Sequence, residues 1–414
     1  MRTETLDILR CPYCGGRLEL AASSFHRGTN DEIEAGILQC GCCTFPVVAG
    51  IPVLHLESPA ASAQEQVLAG RPELARRAMF ALDPPWDERF EAVADSDTAT
   101  YRDVLQAIGP SIESGYFLYR FSDPSYVVAH ALIRAVAGSV LGDGGRAIDL
   151  CGGSGHLTRV LAELSSPAPV LADLYFAKLW LARRFTAPGC EAVCCDGNAP
   201  LPFARGAFRY AMCADAFMFI WPKRQFVGEM LRLVDDGRAG GAAVISHTHN
   251  QLQWSASLGQ PLPPEGYRDL FETVAPRLYS EAGLFADVVK GGPIDLGRLD
   301  AAAELDRDPA LVIVATRRSD VFRAHQLEQA PGARGELRVN PLYVIEEEGE
   351  RVRLRLQFPS ADYEEEFGAC REYLPATLVV DRAALAALPS GRLPPELAEL
   401  ARRRVILDLP GRYY

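Results

Sequence analysis

Positive charge is scarce in this chain: 42 lysines and arginines face 54 aspartates and glutamates, giving a formal net charge of −12 at pH 7. Nucleic-acid binding draws much of its affinity from Lys and Arg neutralising phosphates, so a chain-wide RNA surface is disfavoured. Net charge says little about local patches, and the arginines at 402–404 leave one open. No apolar run approaches the roughly 20 residues that span a bilayer. No basic stretch followed by an apolar segment marks an export signal. The expectation is a cytoplasmic protein that makes no membrane contact. There is no internal repeat and no low-complexity tract, which excludes repeat architectures.

What is present is a globular composition, with 48% hydrophobic and 23% charged residues over 414 positions, enough for two to four domains. The eleven cysteines are many for this length. Their odd number and the missing export signal favour reduced thiols, some of them held by a metal, over a disulfide framework.

Five of the cysteines lie in the first segment, residues 1–57. Cys11-Pro12-Tyr13-Cys14 and Cys40-Gly41-Cys42-Cys43 form two C-x-x-C pairs, together the four thiolates of a tetrahedral structural zinc. Spacing selects Cys11, Cys14, Cys40 and Cys43 as ligands with Cys42 spare, and the last two are interchangeable on spacing alone. A redox C-x-x-C would instead be expected at a strand-to-helix junction. The segment reads as a small independent module. Leu6-Asp7-Ile8-Leu9-Arg10-Cys11-Pro12, Phe45-Pro46 and Gly50-Ile51-Pro52-Val53-Leu54 resemble the small zinc-ribbon family that activates tRNA, rRNA and protein methyltransferases. That resemblance covers about the first 55 residues and implies a ribbon that stabilises or presents a methyltransferase.

Residues 58–125 read as a linker and helical lid region, and a helix is expected over 126–141. Short apolar runs then alternate with helical patterns at 147–150, 169–173, 192–196, 210–213 and 242–246, which implies α/β architecture with a mostly parallel sheet. The runs 284–289 and 311–316 are expected to supply the last two strands, closing a domain over 126–318. A polar stretch at 330–335 leads to a separate α+β appendage over 332–414, where Val352, Leu354, Leu356 and Phe358 alternate with polar residues at the period of a half-buried strand. A hairpin turn is expected at 346–350, and the appendage is a candidate for homodimerisation.

Asp149-Leu150-Cys151-Gly152-Gly153-Ser154-Gly155 leaves the first strand as a glycine-rich turn. It lacks the G-x-G-x-x-G of a dinucleotide fold. It resembles the D-x-G-x-G-x-G loop of class I S-adenosylmethionine-dependent methyltransferases, with Cys151 where that family usually has its first glycine. The resemblance implies a Rossmann-like seven-stranded methyltransferase domain that binds S-adenosylmethionine through Asp149, Cys151, Gly152, Gly153 and Gly155. Asp173, at the end of the second strand, would accept from the ribose hydroxyls, and Asp196-Gly197-Asn198 would recognise adenine. The aromatic segment 116–123 reads either as a lid that puts Arg120 near the cofactor carboxylate or as a packing element.

Carboxyl ends of strands face the ligand crevice in open α/β sheets, so Asp215 after the fourth strand and His247 and His249 after the fifth are the catalytic candidates. One of the histidines could deprotonate a hydroxyl, since imidazole titrates near neutral pH; loop capping and packing are the bland alternatives. A second metal site using both histidines lacks a nearby acid pair in the sequence. Residues 251–271, with Trp254, would help wall the acceptor pocket. The expected activity is O-methylation of a small molecule or glycan. The alternatives are an RNA methyltransferase assisted by the ribbon, and a cofactor-binding scaffold or an enzyme using the same cofactor for other chemistry.

Overall fold

The computed structural model describes residues 1–414 except 23, 110–113, 143, 236, 238–239, 256–258 and 328–334. Most of the polar stretch expected at 330–335 lies outside the described residues.

Seven strands form the central sheet: β1 (Ala147–Leu150), β2 (Val170–Asp173), β3 (Glu191–Cys194), β4 (Tyr210–Ala214), β5 (Ala242–His249), β6 (Arg277–Ser280) and β7 (Ala310–Thr316). The order is β3-β2-β1-β4-β5-β7-β6. The first five strands run parallel, and β7 is antiparallel to both β5 and β6. Strands β1, β2, β3, β4 and β7 are buried along their whole length, which explains why they read as continuous apolar runs and not as alternating ones. This is the expected α/β, Rossmann-like seven-stranded fold. Chain order reverses between β1 and β4, so a ligand crevice lies outside the carboxyl ends of these strands.

One expected strand is a helix. Residues Glu281–Val289 are helical, and β6 lies just before them. The Ser280 side chain accepts from Gly283 N as an N-cap, with Glu281 in the first turn. Leu284, Phe285 and Val288 then share one face, so the apolar run satisfies a helix as well as a strand.

The N-terminal segment is not an independent module. Its hairpin, Ile33–Gln39 against Thr44–Val48, continues through Ile51–Pro52. Val53 then pairs in parallel with Cys194, and Leu54 N donates to Cys194 O at 2.7 Å. The ribbon thereby covers the β3 edge, which would otherwise expose unpaired backbone groups. Leu9, Phe45 and Leu54 share one core with Val193, Phe203 and Val227.

Helices Ser58–Leu68, Pro72–Phe80, Trp86–Ala94, Tyr101–Ile108 and Ser114–Tyr119 fill the lid region. The helix expected over 126–141 runs as Pro124–Leu132, a π-helical turn Ile133–Ala137 and a last turn Gly138–Val140. The C-terminal region is α+β, with a sheet of Tyr343–Glu348, Arg351–Leu356 and Thr377–Asp381. Its hairpin turns at Gly349 and Glu350, where Gly349 has φ +65°. The region is not a detached appendage. Tyr413 stacks on Tyr101 with centroids 4.6 Å apart, and Ser122 Oγ donates to Asn340 Oδ1 at 3.0 Å. Among the described residues no helix is long and apolar enough to cross a membrane.

Candidate functional site

The turn after β1 is shaped from below by Asp149. This carboxylate is fully buried, accepts from Thr158 Oγ1 at 2.7 Å and leaves Oδ1 without a hydrogen-bond partner among the described residues. Burial pushes its pKa up to about 7. Asp149, expected to touch cofactor, therefore lies beneath the turn and holds its shape. Gly152 sits directly over it: a Cβ there would lie 2.5 Å from the carboxylate and 2.5 Å from Leu171 Cδ1. Gly153, at φ +57°, turns its N–H toward Asp173 Oδ2 at 2.9 Å. Gly155 N closes the turn on Gly152 O at 3.1 Å.

Asp173 also accepts from Tyr175 N at 2.9 Å, and burial raises its pKa. Asp196 Oδ1 accepts from Asn198 N at 2.8 Å, and Asn198 Oδ1 in turn accepts from Trp221 N at 2.9 Å. A Cβ on Gly197 would lie 3.3 Å from Cys151 Sγ, so the loops after β1 and β3 meet at these two residues. The expected cofactor residues after β1, β2 and β3 are therefore gathered at one end of the sheet.

A second cluster lies beyond β4 and β5. Asp215 Oδ2 accepts from Tyr116 Oη at 2.6 Å and faces Arg120 Nη2 at 3.5 Å. Asp215 Oδ1 lies 3.8 Å from His247 Nε2, and His247 Nδ1 lies 2.9 Å from Glu281 Oε1. His249 Nδ1 meets Ser255 Oγ at 3.0 Å. Burial works against charge on His247, but the Glu281 and Asp215 carboxylates outweigh it and lift its pKa to about 9. Burial would likewise raise Asp215, yet His247 and Arg120 hold it below the usual carboxylate range. Burial, reinforced by the charge on His247, lowers His249 to about 4. The site thus carries an imidazolium beside a neutral imidazole.

Cys151, Asp215 and His247 have φ of 57°, 57° and 51°. Left-handed conformations of non-glycine residues cost roughly 1–3 kcal/mol each and persist where surrounding structure over-determines them. All three stand at the carboxyl ends of the adjacent strands β1, β4 and β5, around one crevice.

The segment 116–123 folds over this end of the sheet. Phe117 packs on the turn, 3.1 Å from where a Gly153 Cβ would be. Arg120 is 6% exposed, with Nη1 donating to Ser125 Oγ at 2.6 Å and facing Asp123 at 3.4 Å. Its guanidinium is thus engaged by protein groups. Trp254, expected in a pocket wall, is 75% exposed.

The cysteines converge with one substitution of partner. Sulfur separations are 3.7 Å for Cys11–Cys42, 3.8 Å for Cys14–Cys40 and 3.6 Å for Cys40–Cys42. Tetrahedral zinc with bonds near 2.3 Å requires roughly 3.8 Å between sulfurs, so this set fits the ion. Cys42 completes the group of four in place of the expected Cys43. Cys43 stands just before the strand Thr44–Val48, and its carbonyl accepts from Cys40 N at 3.0 Å. No disulfide joins any of the eleven cysteines.

Glu281, Tyr116 and Ser255 were not singled out as site residues from the sequence. Ser280 followed by Glu281 before an apolar run was a readable N-cap signal that would have put Glu281 at a helix start facing β5. Nothing in the sequence marks Ser255.

No protein-family model and no curated protein matches the chain. Similar solved structures include geranyl diphosphate C-methyltransferase from Streptomyces coelicolor A3(2), with 14% identity, 44% of this chain and 75% of that chain covered, and a TM-score of 0.33. Another is phosphoethanolamine N-methyltransferase 2 of Haemonchus contortus in complex with S-adenosyl-L-methionine, with 14% identity, 53% and 60% of the two chains covered, and a TM-score of 0.35. Both likenesses are low and partial.

Proposed function

We propose that the chain is an S-adenosylmethionine-dependent methyltransferase acting on an oxygen of a small-molecule or glycan acceptor. The observation that carries this reading is the meeting of the Gly152–Gly153 turn with the Asp173 carboxylate at the carboxyl ends of β1 and β2, bonded at 2.9 Å. A turn with no room for a Cβ beside a carboxylate suits a ribose held close to backbone. Asp173 would accept from the ribose hydroxyls and Asp196 from the adenine amino group, with Gly197 and Asn198 beside it. When bound, the sulfonium supplies a methyl group already activated for in-line transfer, its sulfur keeping the electron pair of the broken bond. The protein's part is orientation, exclusion of water and removal of the acceptor proton. Phe117 covers the turn and would exclude water from it. Arg120 would hold Asp215 in place, Asp215 and the His247 imidazolium would orient the acceptor, and the neutral imidazole of His249 would take the hydroxyl proton. The zinc ribbon acts as a stabiliser of the sheet edge.

The test is transfer of labelled methyl from S-adenosylmethionine to a panel of hydroxylated small molecules, oligosaccharides and total RNA. Label on a hydroxyl acceptor, lost in Asp215→Asn, supports the reading. Label only in RNA replaces the acceptor class, and label nowhere with cofactor bound replaces the enzyme by a cofactor-binding scaffold.

A further inference from the structure

The residues at the ends of β4 and β5 have a property beyond acid–base chemistry. Asp215, His247 and His249 each present one donor atom, and the three atoms lie within 4.8 Å of one another. Each of these side chains is also anchored at its other polar atom. Asp215 Oδ2 takes the Tyr116 hydroxyl at 2.6 Å, which leaves Oδ1 toward His247. His247 Nδ1 lies 2.9 Å from Glu281, which leaves Nε2 toward Asp215. His249 Nδ1 lies 3.0 Å from Ser255 Oγ, a contact that leaves Nε2 available. Histidines that bind metals characteristically direct the second ring nitrogen to a carboxylate or other outer partner, which fixes the tautomer and the ring orientation.

We propose that Asp215, His247 and His249 hold a divalent first-row transition-metal ion at the mouth of the crevice, with Glu281, Ser255 and Tyr116 as its outer shell. Two imidazoles and one carboxylate suit Mn²⁺, Fe²⁺, Co²⁺ or Zn²⁺, whereas Mg²⁺ and Ca²⁺ prefer all-oxygen sites. The 3.8 Å between His247 Nε2 and Asp215 Oδ1 exceeds by roughly 0.4–0.8 Å the roughly 3.0–3.4 Å between neighbouring donors on such an ion, a closure within side-chain reach. The left-handed backbone at both Asp215 and His247 turns these two side chains toward each other, at 57° and 51°. Three ligands on one side leave positions open; an acceptor hydroxyl bound there would be more acidic, and its proton would pass to solvent, since both imidazoles would hold the ion. That role rests on the methyl-transfer reading; metal binding itself does not.

The test titrates protein dialysed to one zinc per chain, that of the ribbon, with MnCl₂, without cofactor, and reads free Mn²⁺ by electron paramagnetic resonance. Every variant is first checked for native near-ultraviolet circular dichroism and retained ribbon zinc. Wild type takes up one Mn²⁺ per chain, His249→Ala and Asp215→Asn take up none, and Glu281→Gln binds about 10–100-fold more weakly. No uptake by wild type at millimolar Mn²⁺, or equal uptake by His249→Ala and Asp215→Asn, overturns the site. Mn²⁺ uptake by protein with no affinity for S-adenosylhomocysteine supports the site and overturns the methyl-transfer role given to it.

Discussion

Tyr116 donates its hydroxyl to Asp215 Oδ2 at 2.6 Å, tying the lid segment to the end of β4. This bond fixes the segment against the polar cluster in a buried setting where a hydrogen bond to a charged group contributes about 1.5–3 kcal/mol. Tyr116→Phe keeps the ring and removes only the donor. Calorimetry is expected to show S-adenosylhomocysteine binding about tenfold weaker, because roughly 1.4 kcal/mol corresponds to one decade. Unchanged affinity would separate the lid from the cofactor.

Two glycine replacements should act with opposite sign. Gly152→Ala sets a methyl group 2.5 Å from the Asp149 carboxylate and from Leu171, and overpacking of this kind costs about 1–3 kcal/mol. Gly228→Ala, on the exposed face of helix Lys223–Val234 with nothing within 4 Å, gains about 0.5–1 kcal/mol from helix propensity. Urea unfolding of the two variants checks both signs.

The assignment of Cys42 over Cys43 is directly measurable. Cys42→Ser is expected to lose the zinc and lower the melting temperature, since the ribbon shares its core with the sheet. Cys43→Ser should retain about one zinc per chain. Metal analysis after dialysis against a weak chelator distinguishes them, and the reverse pattern would restore Cys43.

His156 makes stability depend on pH. It is buried against Tyr413, whose hydroxyl lies 2.7 Å from Nε2, and burial followed by the Arg120 charge lowers its pKa to about 3. The unfolded imidazole titrates near 6.5, so between about 6.5 and 3 the unfolded chain binds more protons than the folded one. The contribution is complete above about pH 6.5 and is lost as pH falls toward 3. Asp149, raised to about 7 by burial, acts in the opposite sense, stabilising at low pH and losing that contribution as pH rises. The difference between wild type and His156→Gln isolates the histidine. Across that window the unfolding free energy of wild type should fall with acid more steeply than that of the variant.

The strands β1 to β4 and β7 were legible because strands buried along their whole length carry near-continuous apolar runs, and the crevice followed from where the second and third runs end in Asp173 and Asp196. The run at 284–289 misled because Leu284, Phe285 and Val288 fit a helix face equally well, and only the Ser280 cap decides between the two. The ribbon's union with the sheet was not legible, since the pairing of Val53 with Cys194 joins residues whose proximity no local pattern encodes. The same holds for Glu281 beside His247 and for Tyr413 beneath the glycine turn, both products of tertiary packing.

The most direct test of the central claim is calorimetric titration of zinc-loaded protein with S-adenosylmethionine and S-adenosylhomocysteine, alongside Asp173→Ala. Both ligands should bind wild type at one per chain, and the variant, having lost the carboxylate that meets Gly153 N at 2.9 Å, should bind neither. Absence of binding by folded, zinc-loaded wild type would contradict the account.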